Sequence, residues 1–151
     1  MTTDIVDIET GYLADLASDA AQIEQRFGRR AGEFMRHLPA LYRLFHRLSF
    51  ERALPPVLRR KAASVAVYIA EPQDYLGEAC RGVDGLVDDT WLAYSALAEL
   101  LEQVPAEVLA RHWRSKASFD EVAALAPNAV VLGELVPSRV LEQLQSFLAE
   151  V

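Results

Sequence analysis

Six carboxylates lie within nineteen residues, in the stretch "EPQDYLGEACRGVDGLVDD" from Glu71 to Asp89. Five of them, Asp74, Glu78, Asp84, Asp88 and Asp89, are spaced so that a folded loop could bring them together. Carboxylates meeting at one point invite a hard cation, Mg²⁺ or Ca²⁺, and with it hydrolytic chemistry. Their spacing does not match the calcium loop of an EF-hand. Taken singly they have a plainer role. Asp88 and Asp89 stand just ahead of a helix expected from about Thr90, where a short acidic side chain satisfies free N–H groups and suits the positive end of the dipole. Asp74, two residues after Pro72, can close a turn through its own carboxylate. An irregular connection of about 15 residues is uncommon in a small domain unless it is ordered for a purpose.

A second group carries the opposite charge. Ten of the fifteen Lys and Arg residues fall between Arg26 and Lys61, with only Glu33 and Glu51 as acids. The local balance is +8 against −15 for the remainder. Arg43, Arg47, Arg59, Arg60 and Lys61 are the members placed to meet a partner or an anion, whereas Arg26, Arg29 and Arg30 read as a solvated face. Arg59, Arg60 and Lys61 sit in the first turn of a helix, where each cation opposes the dipole by about 0.3–1 kcal/mol. Two things can offset that cost. The acidic loop can fold back against this turn or against Arg43 and Arg47, or an external anion, nucleic acid or an anionic membrane surface, can bind there. No nucleic-acid-reading motif and no interleaved aromatics accompany the charges, so internal pairing is the reading preferred.

The remaining reactive types lack a setting. His37, His46 and His112 show no ligand spacing of the HExxH kind. His112 lies beside Trp113, whose ring is expected in the core. Cys80 is alone in a loop beside Arg81, and Gly77, Gly82 and Gly85 are spaced for turns, not for a phosphate loop. There is no G-x-S-x-G elbow. No residue is assigned a catalytic role and no cofactor is implied beyond the divalent cation.

The elements that must position these groups read as helices. The chain has 151 residues, 52% hydrophobic and 25% charged, enough for one domain with a real core. One cysteine excludes an internal disulfide, and the acidic start "MTTDIVDIET" lacks the pattern of a signal peptide. "AASVAVYIA" is about half the ~20 residues of a spanning helix. A soluble cytosolic protein is therefore expected. A first helix is predicted over about 5–27, and a second from Pro39 to about Phe50 with Leu41, Leu44, Phe45 and Leu48 as its core stripe and Arg43 and Arg47 opposite. Pro55-Pro56 opens a third, Val57–Ala70, apolar nearly all round and so expected to be central. A fourth runs from about Thr90 to Gln103. Pro105 starts a fifth, "PAEVLARHWRSK". Ser118 and Glu121 form a capping box for a sixth, and Pro137 opens a last amphipathic helix. "NAVVLG" (Asn128–Gly133) is the one isolated strand candidate. The fold class is an all-α bundle of six to seven helices around the small-residue helix.

"LPALYRLFHRL", the proline break, "KAASVAVYIAEPQDYLGE" and "GLVDD" together resemble the YkvA-like bacterial proteins, a domain of unknown function. Tyr68, Pro72, Asp74, Gly85, Asp88 and Asp89 occupy that family's pattern over about residues 38–104. Gly77 stands where the family has its next proline, and Asp84 adds a residue to the loop. The resemblance implies a helical core over 38–104, with the 5–27 helix and the 105–150 helices packed on it, and it implies no established activity. The function expected is an interaction module acting through self-association or a protein partner, organised by the Pro-x-Asp…Asp-Asp loop. A metal site on the same loop and docking of nucleic acid or membrane through 26–61 are the alternatives.

Overall fold

A computed structural model of the chain describes residues 25, 28–70 and 83–150, the side chains of 83–86 excepted. The predicted 5–27 helix and the loop 71–82 lie outside the described residues. All the regular structure among these residues is helical: α1 (Arg29–Met35), α2 (Leu38–Leu48), α3 (Pro56–Ala70), α4 (Val83–Gln103), α5 (Ala106–Ala110), α6 (Phe119–Leu125), a 3₁₀ turn (Ala126–Asn128), α7 (Val130–Gly133) and α8 (Ser138–Glu150).

The local causes are readable. Gly28 precedes α1 with φ +91°, a backbone conformation that costs glycine least. Pro39 occupies the first turn of α2, where its missing N–H is not needed. The stripe Leu41, Leu44, Phe45 and Leu48 is fully buried, as the 3.6-residue period requires. Ser118 caps α6 by accepting from the Glu121 N–H at 3.2 Å. Along α8, Val140, Leu144 and Leu148 are buried, and Phe147 reaches back to α3 with its ring 5.4 Å from that of Tyr68.

α4 is the element the others share. It packs against α1, α2, α3, α6, the 3₁₀ turn, α7 and α8. Every residue from Val87 to Tyr94 is buried, so this stretch is enclosed on all sides. Tyr94 anchors the far wall: its ring meets Phe34 edge-on at 5.2 Å and its hydroxyl donates to the Phe34 carbonyl at 2.9 Å. Burial pushes that hydroxyl's pKa well above the ordinary 10.0. Gly133 on α7 lets the helix come close to Trp91, whose Nε1 would stand 3.2 Å from any added Cβ. α3 packs between α2 and α4 on its small residues, and leaves Val57 and Val67 exposed.

Three boundaries differ from the sequence reading. α4 begins at Val83, so Asp88 and Asp89 lie within the helix and are not its caps. α5 stops at Ala110, well short of Lys116. There the chain bends so that Trp113 can pack edge-on against Phe119 and donate from Nε1 to the Ala117 carbonyl at 2.7 Å. "NAVVLG" forms the 3₁₀ turn and α7, not a strand.

Candidate functional site: a cationic cleft and a buried carboxylate corner

Two places concentrate charge, and they are built differently. The first is the pairing of α3 with α4. Near the C-terminal end of α3, the Tyr68 hydroxyl donates to Asp88 Oδ2 at 2.5 Å in a fully buried setting. Toward the N-terminal end of α3, Lys61 Nζ meets Glu99 Oε2 at 2.5 Å. Residue 61 pairs with 99 and residue 68 with 88, so the two helices run antiparallel with one polar link toward each end. A buried carboxylate is tolerable only with strong donors, and the phenolic hydroxyl is one.

The metal-ligand set predicted from the sequence is placed as follows. Asp74 and Glu78 lie outside the described residues, as does the side chain of Asp84 on α4. Asp88 and Asp89 are both buried in α4. Among the described residues, no group of three or more His, Cys, Asp or Glu side chains could hold a metal ion.

The predicted cations separate. Lys61 is buried and its partner is Glu99, not an acid of the 71–89 stretch. Arg59 is half-buried and Arg60 exposed on α3. Arg43 and Arg47 instead line a cleft of about 680 Å³ together with His46, Phe50, Glu51, His112 and Arg114. Its first wall follows from helical spacing: residues 43, 46, 47 and 50 fall at i, i+3, i+4 and i+7, opposite the buried stripe of α2. The second wall, His112 and Arg114, comes from the bend after α5. Arg114 Nη1 is held there by the carbonyls of Arg111 at 2.9 Å and Trp113 at 3.0 Å.

Glu51 joins the two walls. Its Oε1 accepts from His112 Nε2 at 2.9 Å and pairs with Arg111 Nη2 at 3.3 Å, while Oε2 accepts the Ala53 N–H at 3.1 Å. The hydrogen bond from His112, then that from Ala53 and the charge of Arg111, hold the Glu51 carboxyl below its ordinary value. An ionised carboxylate can only accept, so His112 Nε2 is the donor in this contact.

Both oxygens of Glu51, the one acid lining the cleft among the described residues, are thus already engaged. Arg47 has no carboxylate partner among the described residues. Its Nε is buried without an acceptor, and His112 Nδ1 is likewise buried without a hydrogen-bond partner. Basic residues in the last turn of α2 suit the negative end of its dipole, which accounts for His46 and Arg47 being there. It does not account for a further cation brought in from beyond α5.

Sequence reasoning identified Arg43 and Arg47 but missed His46, Phe50, His112 and Arg114 as their companions. The available signal was the run "RHWRS", basic residues flanking a buried Trp113. Comparison with family models, with curated proteins and with solved structures finds no match to this chain. Fold and site together define an all-α protein with a cationic cleft at the junction of α2 and the bend after α5. No described helix is long and apolar enough to cross a membrane.

Proposed function

We propose that this chain is a binding module that takes an anionic partner in the cleft formed by Arg43, His46, Arg47, His112 and Arg114. The observation that carries the reading is Arg47: a guanidinium at the cleft without a carboxylate, its Nε buried and lacking an acceptor, beside an acid whose oxygens are both committed elsewhere. Buried polar atoms without partners are rare, and a bound water, ion or ligand is one way they are satisfied. The Tyr68–Asp88 corner is the scaffold that sets α3 against α4, and through α2 it fixes the cleft wall. The organising role assigned to the acidic stretch thereby falls to Asp88, while the contact surface falls to the cations. The single cysteine supports the cytoplasm as its compartment, and the motif residues around Tyr68 and Asp88 support a place beside the YkvA-like proteins.

Retention on heparin at low ionic strength, with heparin as a generic polyanion, tests this directly. The wild-type chain is expected to be retained and to elute with rising salt. The pair Arg43→Glu and Arg47→Glu is expected to lose retention, whereas Arg59→Glu and Arg60→Glu on α3 should keep most of it. Equal loss from both pairs would show only diffuse attraction and would contradict a defined cleft.

A further inference from the structure

We infer that the occupant of the cleft is a small phosphate monoester bearing a flat aromatic or heteroaromatic ring, a step that rests on the anion-binding reading above. Three observations point there. The first is charge. Arg47 and Arg114 present guanidinium groups and His46 adds an imidazole, while Glu51 is held by His112, Arg111 and Ala53. That many donors around one space outnumber what a single carboxylate can accept. They suit a phosphate dianion, whose several acceptor oxygens match guanidinium forks.

The second observation is Phe50. It lines the same cleft and is 74% exposed, in a chain that buries every other phenylalanine ring fully or in part among the described residues. Its ring stands 5.6 Å from that of His46, inclined at 64°, and the His46 ring is 6.2 Å from that of Tyr42. One turn apart along α2 and its end, these rings form a ledge that borders the cations. An exposed aromatic edge beside guanidinium groups is the arrangement that takes a flat ring whose substituent is anionic.

The third is size. About 680 Å³ falls within the range of small-molecule sites, roughly 300–1,000 Å³. A groove that tracks a polymer backbone or a flat patch that meets a lipid surface needs cations spread along a face. Here Arg59 and Arg60 stay outside the cleft lining and Lys61 is consumed by Glu99.

Calorimetric titration separates the parts of this inference, with inorganic phosphate, phenyl phosphate and adenosine monophosphate as probes against wild type and Phe50→Ala. Phenyl phosphate and the nucleotide are expected to bind about fivefold or more tighter than inorganic phosphate, the gain a single aromatic contact supplies. Phe50→Ala should abolish that advantage, so that in the variant the ring-bearing probes bind no tighter than inorganic phosphate. If the ring-bearing probes bind no tighter than inorganic phosphate, or if Phe50→Ala keeps their advantage, the inference is overturned. Retention on heparin without binding of any of the three probes would also overturn it while leaving the cationic cleft as a docking site for larger anions. Loss of both would remove the cleft reading altogether.

Discussion

The α3–α4 corner and the α2 cleft both gather charged side chains, yet they solve opposite problems. At the corner, Asp88 is wholly buried and takes the Tyr68 hydroxyl, and Lys61, nearly buried, takes Glu99. Two links thus cross the helix pair, one toward each end. At the cleft, the only acid among the described lining residues is spoken for, and Arg47 has no carboxylate partner among them. The difference teaches where each place directs its electrostatics: the corner links two helices of the chain, whereas the cleft is the place proposed above to meet an external anion. A buried ion or hydrogen-bonded carboxylate contributes little net stability compared with an apolar contact, but breaking it by removing one partner is costly. Arg114 at the cleft is exposed and, among the described residues, bonds only neighbouring carbonyls, so its charge can be removed without unfolding.

Substitutions should therefore sort by region. The largest effect is expected from Asp88→Ala, which deprives the buried Tyr68 hydroxyl of its acceptor. A buried polar group left unsatisfied costs about 1–3 kcal/mol, and urea unfolding should show a loss in that range with anion binding retained by the folded fraction. Tyr68→Phe, which leaves Asp88 in place, should lose a comparable amount, and the double variant should fall well short of the sum. Additive losses would separate the two residues and break the account of the corner.

Next in size is the Lys61–Glu99 link. Glu99 is 40% exposed on its side chain, so solvent screens the pair and Glu99→Gln is expected to cost only about 1 kcal/mol. A loss as large as that of Asp88→Ala would mean that the ion pair, and not the hydroxyl–carboxylate bond, sets the helix register.

The clamp between the cleft walls gives a pH signature. Because the Glu51 carboxyl is depressed in the folded chain, its contribution to stability is present above its ordinary value of 4.5 and is lost as pH falls through the lower folded value. Glu51→Gln should therefore flatten the acid limb of the stability profile in that window. His37 acts in the same direction from higher pH. Burial, and then the charge of Arg36, lowers its pKa below 6.5, so its neutral form favours the fold until pH drops through that lowered value. His37→Gln should remove that part of the curve, and a profile unchanged by either substitution would refute both assignments.

The smallest effect is expected at Phe50. Its ring is exposed, so Phe50→Ser should change stability by no more than about 0.5 kcal/mol. A marked loss would place the ring in the core's service and remove the aromatic ledge from the site.

Much of the helical frame was legible from local chemistry. Pro55-Pro56, Ser118 and the stripe of α2 act within one or two turns, and their effects appear where their spacing put them. The start of α4 was not legible, because Gly85 and the acidic pair favour a loop when read alone. What overrides them is burial of Val87 through Tyr94 by seven surrounding elements, and no local pattern records that. The end of α5 was hidden for a similar reason, since the bend exists to seat Trp113 on Phe119. At the site, Arg43 and Arg47 could be recognised as the polar side of an amphipathic helix. Their meeting with His112 and Arg114 could not, because it depends on Glu51 joining residues 61 positions apart. Convergence of Asp74, Glu78, Asp84, Asp88 and Asp89 on a divalent cation was suggested by their density in the loop. α4 turns Asp88 and Asp89 into the interior, and the other three side chains lie outside the described residues.

The central claim is that anions bind at one place, the junction of α2 with the bend after α5. Amide chemical-shift mapping during titration with inorganic pyrophosphate tests it most directly. Saturable shifts confined to residues around 43–51 and 111–115 are the predicted result. Shifts centred instead on Arg59 and Arg60, or scattered over every exposed arginine without saturation, would contradict it.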